Sequence, residues 1–133
     1  MAGRSVTEVK VIDVLLIDYY IEKSPIHGFG VFASKLIAKG TKVWEFTPGL
    51  DREWTQEEFK TLPNKAQEYI LHYGWLDPLT NMHRFPFDHD RFINWSHNPN
   101  VGGTSDEIFA LKDIQEGEEL TFPFEEDALS KIN

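Results

Sequence analysis

There is no cysteine among the 133 residues. That absence excludes disulfides, thiolate nucleophiles and every cysteine-ligated zinc arrangement, so the fold must stand without them. Positive charge is scarce: 13 Lys and Arg face 22 Asp and Glu, a net charge of −9. Such a surface repels phosphate backbones and anionic head groups, which argues against direct nucleic-acid or membrane binding. It attracts a basic, lysine-containing protein or peptide, although acidic balance also serves solubility alone. Long apolar runs are missing as well. VKVIDVLLIDYY (9–20) is interrupted by Asp13 and Asp18, leaving Val14 to Ile17 between them; that is too short for a signal peptide or a membrane span and reads as a strand. The expected location is intracellular, meaning cytoplasmic, or nuclear in a eukaryote.

What is present suffices for one core. Hydrophobic residues make up 41% and aromatics 14%, with ten Phe and four Trp, which supports a single folded domain over 1–133. FASKLIAKGTKV (32–43) and FALKDIQEGEEL (109–120) align without gaps, 77 residues apart. Each copy reads as a strand ending in Phe-Ala, a polar turn, a tucked Ile, a Gly suited to positive φ and a new β run. Two equivalent corners of two small sheets are expected. Between them lies a helical insert over about 55–74. Thr55-Gln56-Glu57-Glu58 fits a capping box, Trp54 and Phe59 flank it as a staple, Pro63 opens a second run, and Gly74 ends it. DPLTNMHRFPFDHD (77–90) shows turn formers and no period. His83 and His89, beside Asp88 and Asp90, match no metal-ligand spacing, so no metal is expected. The sum is mainly β, with short strands and one helical insert.

Three segments carry polar or backbone chemistry. In IHGFGVFA (26–33), two glycines bracket a Phe and let peptide groups approach a ligand, though a plain turn also fits. DRFINWSHNPN (90–100) crowds three asparagines around Pro99, giving more side-chain amide capacity than an ordinary turn uses; a side-chain-stabilised loop is the simpler account. GEELTFPFEED (117–127) leads two acids into a β run around Pro123 and is equally readable as an edge strand.

In this order, the three segments and the Ile37–Val43 corner resemble the SET domain, the fold of protein lysine methyltransferases, over roughly residues 20–125. The family's patterns are Gly-x-Gly-hydrophobic-Phe-Ala, Ile-x-x-Gly-x-x-Val, Arg-Phe-Ile/Met-Asn-His-Ser-x-x-Pro-Asn and Gly-Glu-Glu-Leu-Thr-aromatic-Asp-Tyr. The resemblance implies a β-clip fold of several short sheets with a threaded, knot-like C-terminal segment. It implies an S-adenosyl-L-methionine site at His27, Gly28, Phe29 and Gly30 through backbone groups, at Asn94 through its amide, and at Trp95 through its main chain.

Two departures from the pattern bear on activity. Trp95 stands where the family has His, and Phe124 stands where it has the catalytic Tyr. Methyl transfer is an in-line displacement, with the amine about 3 to 3.5 Å from the methyl carbon. The amine must be neutral despite an ordinary pKa of roughly 10.4. A family Tyr hydroxyl orients it; Phe124 keeps the ring and loses the oxygen. Tyr73, or Tyr69, Tyr19 or Tyr20, is an alternative hydroxyl source. EEDALSKIN, which follows Phe124, has no Cys and no aromatic residue, so the resemblance leaves three alternatives for the lysine channel: closure by the substrate, closure by a second copy in a homodimer, or a site that stays open. Glu125, Glu126 and Asp127 are candidate groove acids. Two functions stay open: lysine methyl transfer to a protein, and a catalytically impaired module that binds cofactor or a lysine-bearing partner.

Overall fold

A computed structural model gives the fold and describes residues 15–124. Its ten short strands form four small sheets. β1 (Tyr19–Lys23) pairs antiparallel with β2 (Phe29–Ala33), Tyr19 opposite Ala33. β3 (Lys42–Glu45), β8 (Val101–Gly103) and β9 (Glu107–Ala110) form an antiparallel sheet in the order β3-β9-β8. β4 (Arg52–Trp54), β5 (Trp75–Leu76) and β6 (His83–Phe85) form another, ordered β4-β6-β5. β7 (Asn94–Ser96) and β10 (Thr121–Pro123) pair in parallel. Of VKVIDVLLIDYY, Leu15 bridges to Trp44 and Tyr19 opens β1, while residues 9–14 lie outside the described part.

The repeated corners are bonded to each other. Ile37 and Ile114 each donate an N–H to the other's carbonyl at 2.8 Å. Gly40 N–H donates to Ala110 O, and its counterpart Gly117 N–H donates to Ala33 O. Ala33 N–H to Glu118 O is likewise matched by Ala110 N–H to Thr41 O, both 2.9 Å. Each of these backbone bonds recurs with the two copies exchanged, so the repeats meet across a local two-fold axis. Gly40 and Gly117 both sit at φ +88°, where a side chain would be strained. Ile37 and Ile114 turn inward to a core that includes Val31, Val43, Trp44, Val101 and Leu120.

The insert is more than a helical pair. α1 (Gln56–Lys60) has the expected capping box: Glu58 N–H donates to Thr55 Oγ1 at 3.1 Å and Thr55 N–H to Glu58 Oε1 at 2.9 Å. α2 (Asn64–Tyr73) follows Pro63 and closes at Gly74, whose N–H reaches Ile70 O. A Cβ on Gly74 would lie 2.1 Å from Arg84 O, so only glycine lets α2 turn this close to β6. The segment without period differs from expectation: His83–Phe85 is the middle strand of the insert sheet, and His89–Phe92 is a 3-10 turn. Three residues are too few to show alternation. What fixes β6 is tertiary, with His83 stacked on Phe59 at 3.8 Å and Arg84 buried beside it.

Arg84 fastens the insert to the β8–β9 turn. Its Nε donates to Glu53 at 3.0 Å and its Nη1 to Asp106 at 2.8 Å and Ser105 O at 3.0 Å, while the guanidinium lies 4.0 Å over the Phe46 ring. Asp77, itself buried, is 3.6 Å away. Burial opposes the Arg84 charge, but the bonds to Asp106 and Glu53 outweigh it and raise the pKa. No helix among the described residues is long and apolar enough to cross a membrane.

Candidate functional site

The asparagines of the polar loop divide their work. Asn100 is buried and grips β10 like a neighbouring strand: its Nδ2 donates to Glu119 O and its Oδ1 accepts from Thr121 N–H, both at 2.8 Å. Asn98 accepts from Lys112 Nζ at 3.1 Å. Asn94 points toward the Gly-Phe-Gly turn. Its Nδ2 lies 3.0 Å from His27 O, 3.2 Å from Phe29 O and 2.9 Å from Glu119 Oε2. An amide nitrogen carries two protons and here faces three acceptors, so the cluster holds more acceptors than protons to fill them. Ser24 Oγ also contacts both Glu119 oxygens, at 2.8 and 3.0 Å.

Backbone geometry makes this approach feasible. Gly28 adopts φ +47°. A Cβ on Gly30 would stand 2.2 Å from Glu119 Oε2, so the carboxylate occupies the space that glycine leaves. His27, Gly28, Phe29, Gly30 and Asn94 are thus gathered at one place, and Phe29 remains 59% exposed beside them. Glu119 and Ser24 were not singled out in the sequence. The signal for Glu119 was its place inside GEELT; its partners, 95 and 25 residues away, are visible only once the chain is folded.

β7 presents a second surface. Along a strand, successive side chains alternate, so Trp95 points away from the Asn94 cluster. It meets Phe122 at 5.7 Å and Phe124 at 6.4 Å between ring centroids, and Phe124 meets His97 at 4.4 Å. Trp95 is 51% exposed.

The SET domain family profile matches residues 28–125. The chain belongs to the SET domain family. Solved structures of the same fold include a Plasmodium falciparum protein assigned as a histone methyltransferase, at 21% identity and TM-score 0.59, over 81% of this chain and 93% of that one. The Neurospora SET domain protein DIM-5, a histone lysine methyltransferase, is similar at 24% identity and TM-score 0.56, over 81% of this chain and 52% of that one. A chain of the Chaetomium thermophilum Polycomb Repressive Complex 2 aligns at 22% identity and TM-score 0.63, over 84% of this chain and 15% of that one. No curated protein sequence matches significantly.

Within this SET domain, the described contacts of the candidate tyrosines are with residues other than Phe124. Tyr73 packs on Tyr69 at 4.8 Å and on His72 at 4.5 Å along α2. Tyr19 bonds through its hydroxyl to His89 Nδ1 at 2.7 Å, and Tyr20 stacks on Phe32 at 5.5 Å. Among the described residues, no ring contact or hydrogen bond joins Tyr73 to Phe124 or Asn94. Glu125, Glu126 and Asp127 lie outside the described residues.

The turn that delivers Asn94 holds a buried acid. Asp90 is 6% exposed, and its Oδ1 has no hydrogen-bond partner among the described residues. Burial first, then the charges of Asp88 and Asp51, push its carboxyl well above the usual carboxylate range. Between the ordinary value and the raised one, the folded protein keeps a proton that the unfolded chain has released. That stability is present at low pH and lost as pH rises through the raised value. Asp90→Asn removes the titration. Its stability relative to the native chain should be lowest near pH ~4 and grow by up to about 1.4 kcal/mol per pH unit until Asp90 ionises. Urea unfolding of both proteins across the pH range checks this, and a difference independent of pH contradicts it.

Proposed function

We propose that this SET domain binds S-adenosyl-L-methionine at the Gly-Phe-Gly turn and Asn94, and transfers its methyl group to lysine side chains of a basic protein. The observation that carries the reading is the surplus of acceptors around the Asn94 amide: His27 O, Phe29 O and the Glu119 carboxylate. That donor-poor cluster suits a cationic ligand, and S-adenosylmethionine carries both an ammonium and a sulfonium. His27, Phe29, Glu119 and the Asn94 side chain would hold it, with Gly28 and Gly30 leaving the backbone accessible. When bound, the cofactor supplies an electrophilic methyl.

The chain's own residues supply the rest. Asn94 and Trp95 are neighbours on opposite faces of β7, so the acceptor cluster and the ring cluster back onto one strand. A lysine entering beside Trp95 and Phe124 meets apolar rings, and desolvation there favours the neutral amine that displacement requires. With S-adenosylmethionine held by His27, Phe29, Glu119 and Asn94, that neutral nitrogen would accept the methyl, the C–S bond giving way as the N–C bond forms, and the proton it then sheds would pass to water. The net charge of −9 draws basic substrates in.

Phe124 favours a second reading, a module that binds cofactor and a lysine-bearing partner but turns over slowly or not at all. Labelled methyl transfer from S-adenosylmethionine to lysine-rich proteins separates the two. Incorporation above a heat-inactivated control is expected for the native chain. Label absent from both the native protein and Phe124→Tyr refutes the transferase reading.

A further inference from the structure

We infer that Asp90 is a proton switch for the Asn94 site: while its carboxyl holds a proton the turn seats Asn94 against the Gly-Phe-Gly turn, and when that proton leaves, the turn opens and the site releases its ligand. The identity of the ligand rests on the reading above, whereas the switch rests on the turn alone.

The turn braces both sides of the cluster. Asp88 caps the 3-10 turn His89–Phe92, Ile93 is buried behind it, and Asn94 follows at once as the first residue of β7. The same turn packs on β2, the strand that starts at Phe29 and Gly30. A shift of the turn therefore moves Asn94 relative to His27 O, Phe29 O and Glu119, which its amide meets only at 2.9 to 3.2 Å.

The charged and titratable groups around Asp90 are engaged elsewhere or carry its own sign. Asp88 Oδ1 accepts the Asp90 N–H at 3.0 Å. Asp51, just before β4, accepts the N–H groups of Thr47 and Phe87, both at 2.7 Å. Arg91 turns its guanidinium to Phe87 O and Asp88 O and over the Phe92 ring. His89 Nδ1 is bonded to the Tyr19 hydroxyl of β1, and β2 (FGVFA) has no titratable side chain. Asp90 Oδ1 is thus buried with no donor among the described residues. A neutral carboxyl tolerates that position; a carboxylate there carries its full desolvation cost. Burial and the charges of Asp88 and Asp51 accordingly hold the proton on well past the ordinary carboxylate range.

Once ionised, Asp90 finds water only by turning outward, and a single short turn cannot release it without shifting Asn94. A bound cation would attract the same charge, which opposes opening. That attraction acts across the turn and is weakened by water, whereas desolvation acts on the carboxylate itself, so opening prevails. The sign follows: ligand affinity is present below the raised midpoint and lost as pH rises through it.

The test records backbone amide and carboxyl-carbon NMR of the full chain from pH ~5 to ~9, first without ligand and then with S-adenosylmethionine, for the native protein, Asp90→Asn and Asp88→Asn. In the native chain the Asp90 carboxyl and the amides of Gly28–Gly30 and Asn94–Ser96 should titrate with one midpoint. In Asp90→Asn the amide change at that midpoint should vanish. Asp88→Asn keeps an acceptor for the Asp90 N–H and removes one charge, so the midpoint should move to lower pH, which a merely structural role would not produce. Above the native midpoint, affinity for S-adenosylmethionine relative to Asp90→Asn should fall by up to about tenfold per pH unit. Taking that ratio cancels the titration of the ligand's own amine, of His27 and of Glu119. Saturating ligand should in turn raise the Asp90 midpoint. The inference is overturned by an Asp90 carboxyl that stays in one state throughout, by Asn94 amides that do not move as it titrates, or by native affinity that rises through the midpoint. If S-adenosylmethionine binds neither protein at any pH, the cofactor reading fails and the ligand-free amides alone decide the switch.

Discussion

Phe124→Tyr should transfer methyl groups about 10²-fold faster than the native chain, the scale on which one positioned hydrogen-bonding group acts at a reacting centre. The substitution adds one oxygen to a ring already fixed between His97 at 4.4 Å and Trp95 at 6.4 Å, so it introduces little new freedom. Expressed as a barrier, the gain is roughly 2.7 kcal/mol. The hydroxyl would orient the amine's lone pair along the bond being formed. Tyr19 is engaged with His89, and Tyr73 belongs to the ring group of α2. Tyr73→Phe should therefore leave the native rate unchanged. Equal rates for the native chain and Phe124→Tyr would mean that another group performs the orienting step, and a fall in Tyr73→Phe would name it.

The second large effect concerns stability. Arg84→Ala should destabilise the fold by about 3 kcal/mol, the low end for removing one partner of a buried ion pair. Its partners are unequal. The Glu53 and Asp106 side chains are 36% and 65% exposed and, left alone, return to water, so their loss contributes little. Asp77 is 5% exposed and would keep a buried charge 3.6 Å from the vacated position. The aliphatic stem and the stack on Phe46 are lost too. Combining Arg84→Met with Asp77→Asn removes both buried charges and restores apolar contact, which should recover most of the loss. Urea midpoints at constant m-value measure these differences. A double variant as unstable as Arg84→Ala would place the loss in packing rather than in the stranded charge.

Much of this fold was legible because its signals are local. The Thr55–Glu58 box, Pro63 and Gly74 act within a few residues of themselves, and each does in the structure what its chemistry suggested. The repeat was legible because the two corners make the same backbone bonds, each with a Gly at φ +88° and with its Ala and Ile buried. β6 was hidden because three residues carry no periodicity and its place depends on Phe59 and Arg84. The site shows the same division. Asn94 and the glycines stood out by residue type, whereas Glu119 is one acid among 22 until folding brings Ser24 and Asn94 to it. Asp90 is a further case: nothing in DHDRF distinguishes a buried carboxyl from an exposed one.

The account stands on a cationic cofactor bound where Asn94 meets the Gly-Phe-Gly turn. Backbone amide spectra recorded during titration with S-adenosylmethionine, with no lysine substrate present, test it most directly. The account predicts saturable shifts concentrated at Gly28–Gly30, Asn94–Ser96 and Glu119, largely abolished in Asn94→Ala. Unchanged spectra at millimolar ligand, or shifts confined to the insert around α1 and β6, would contradict it.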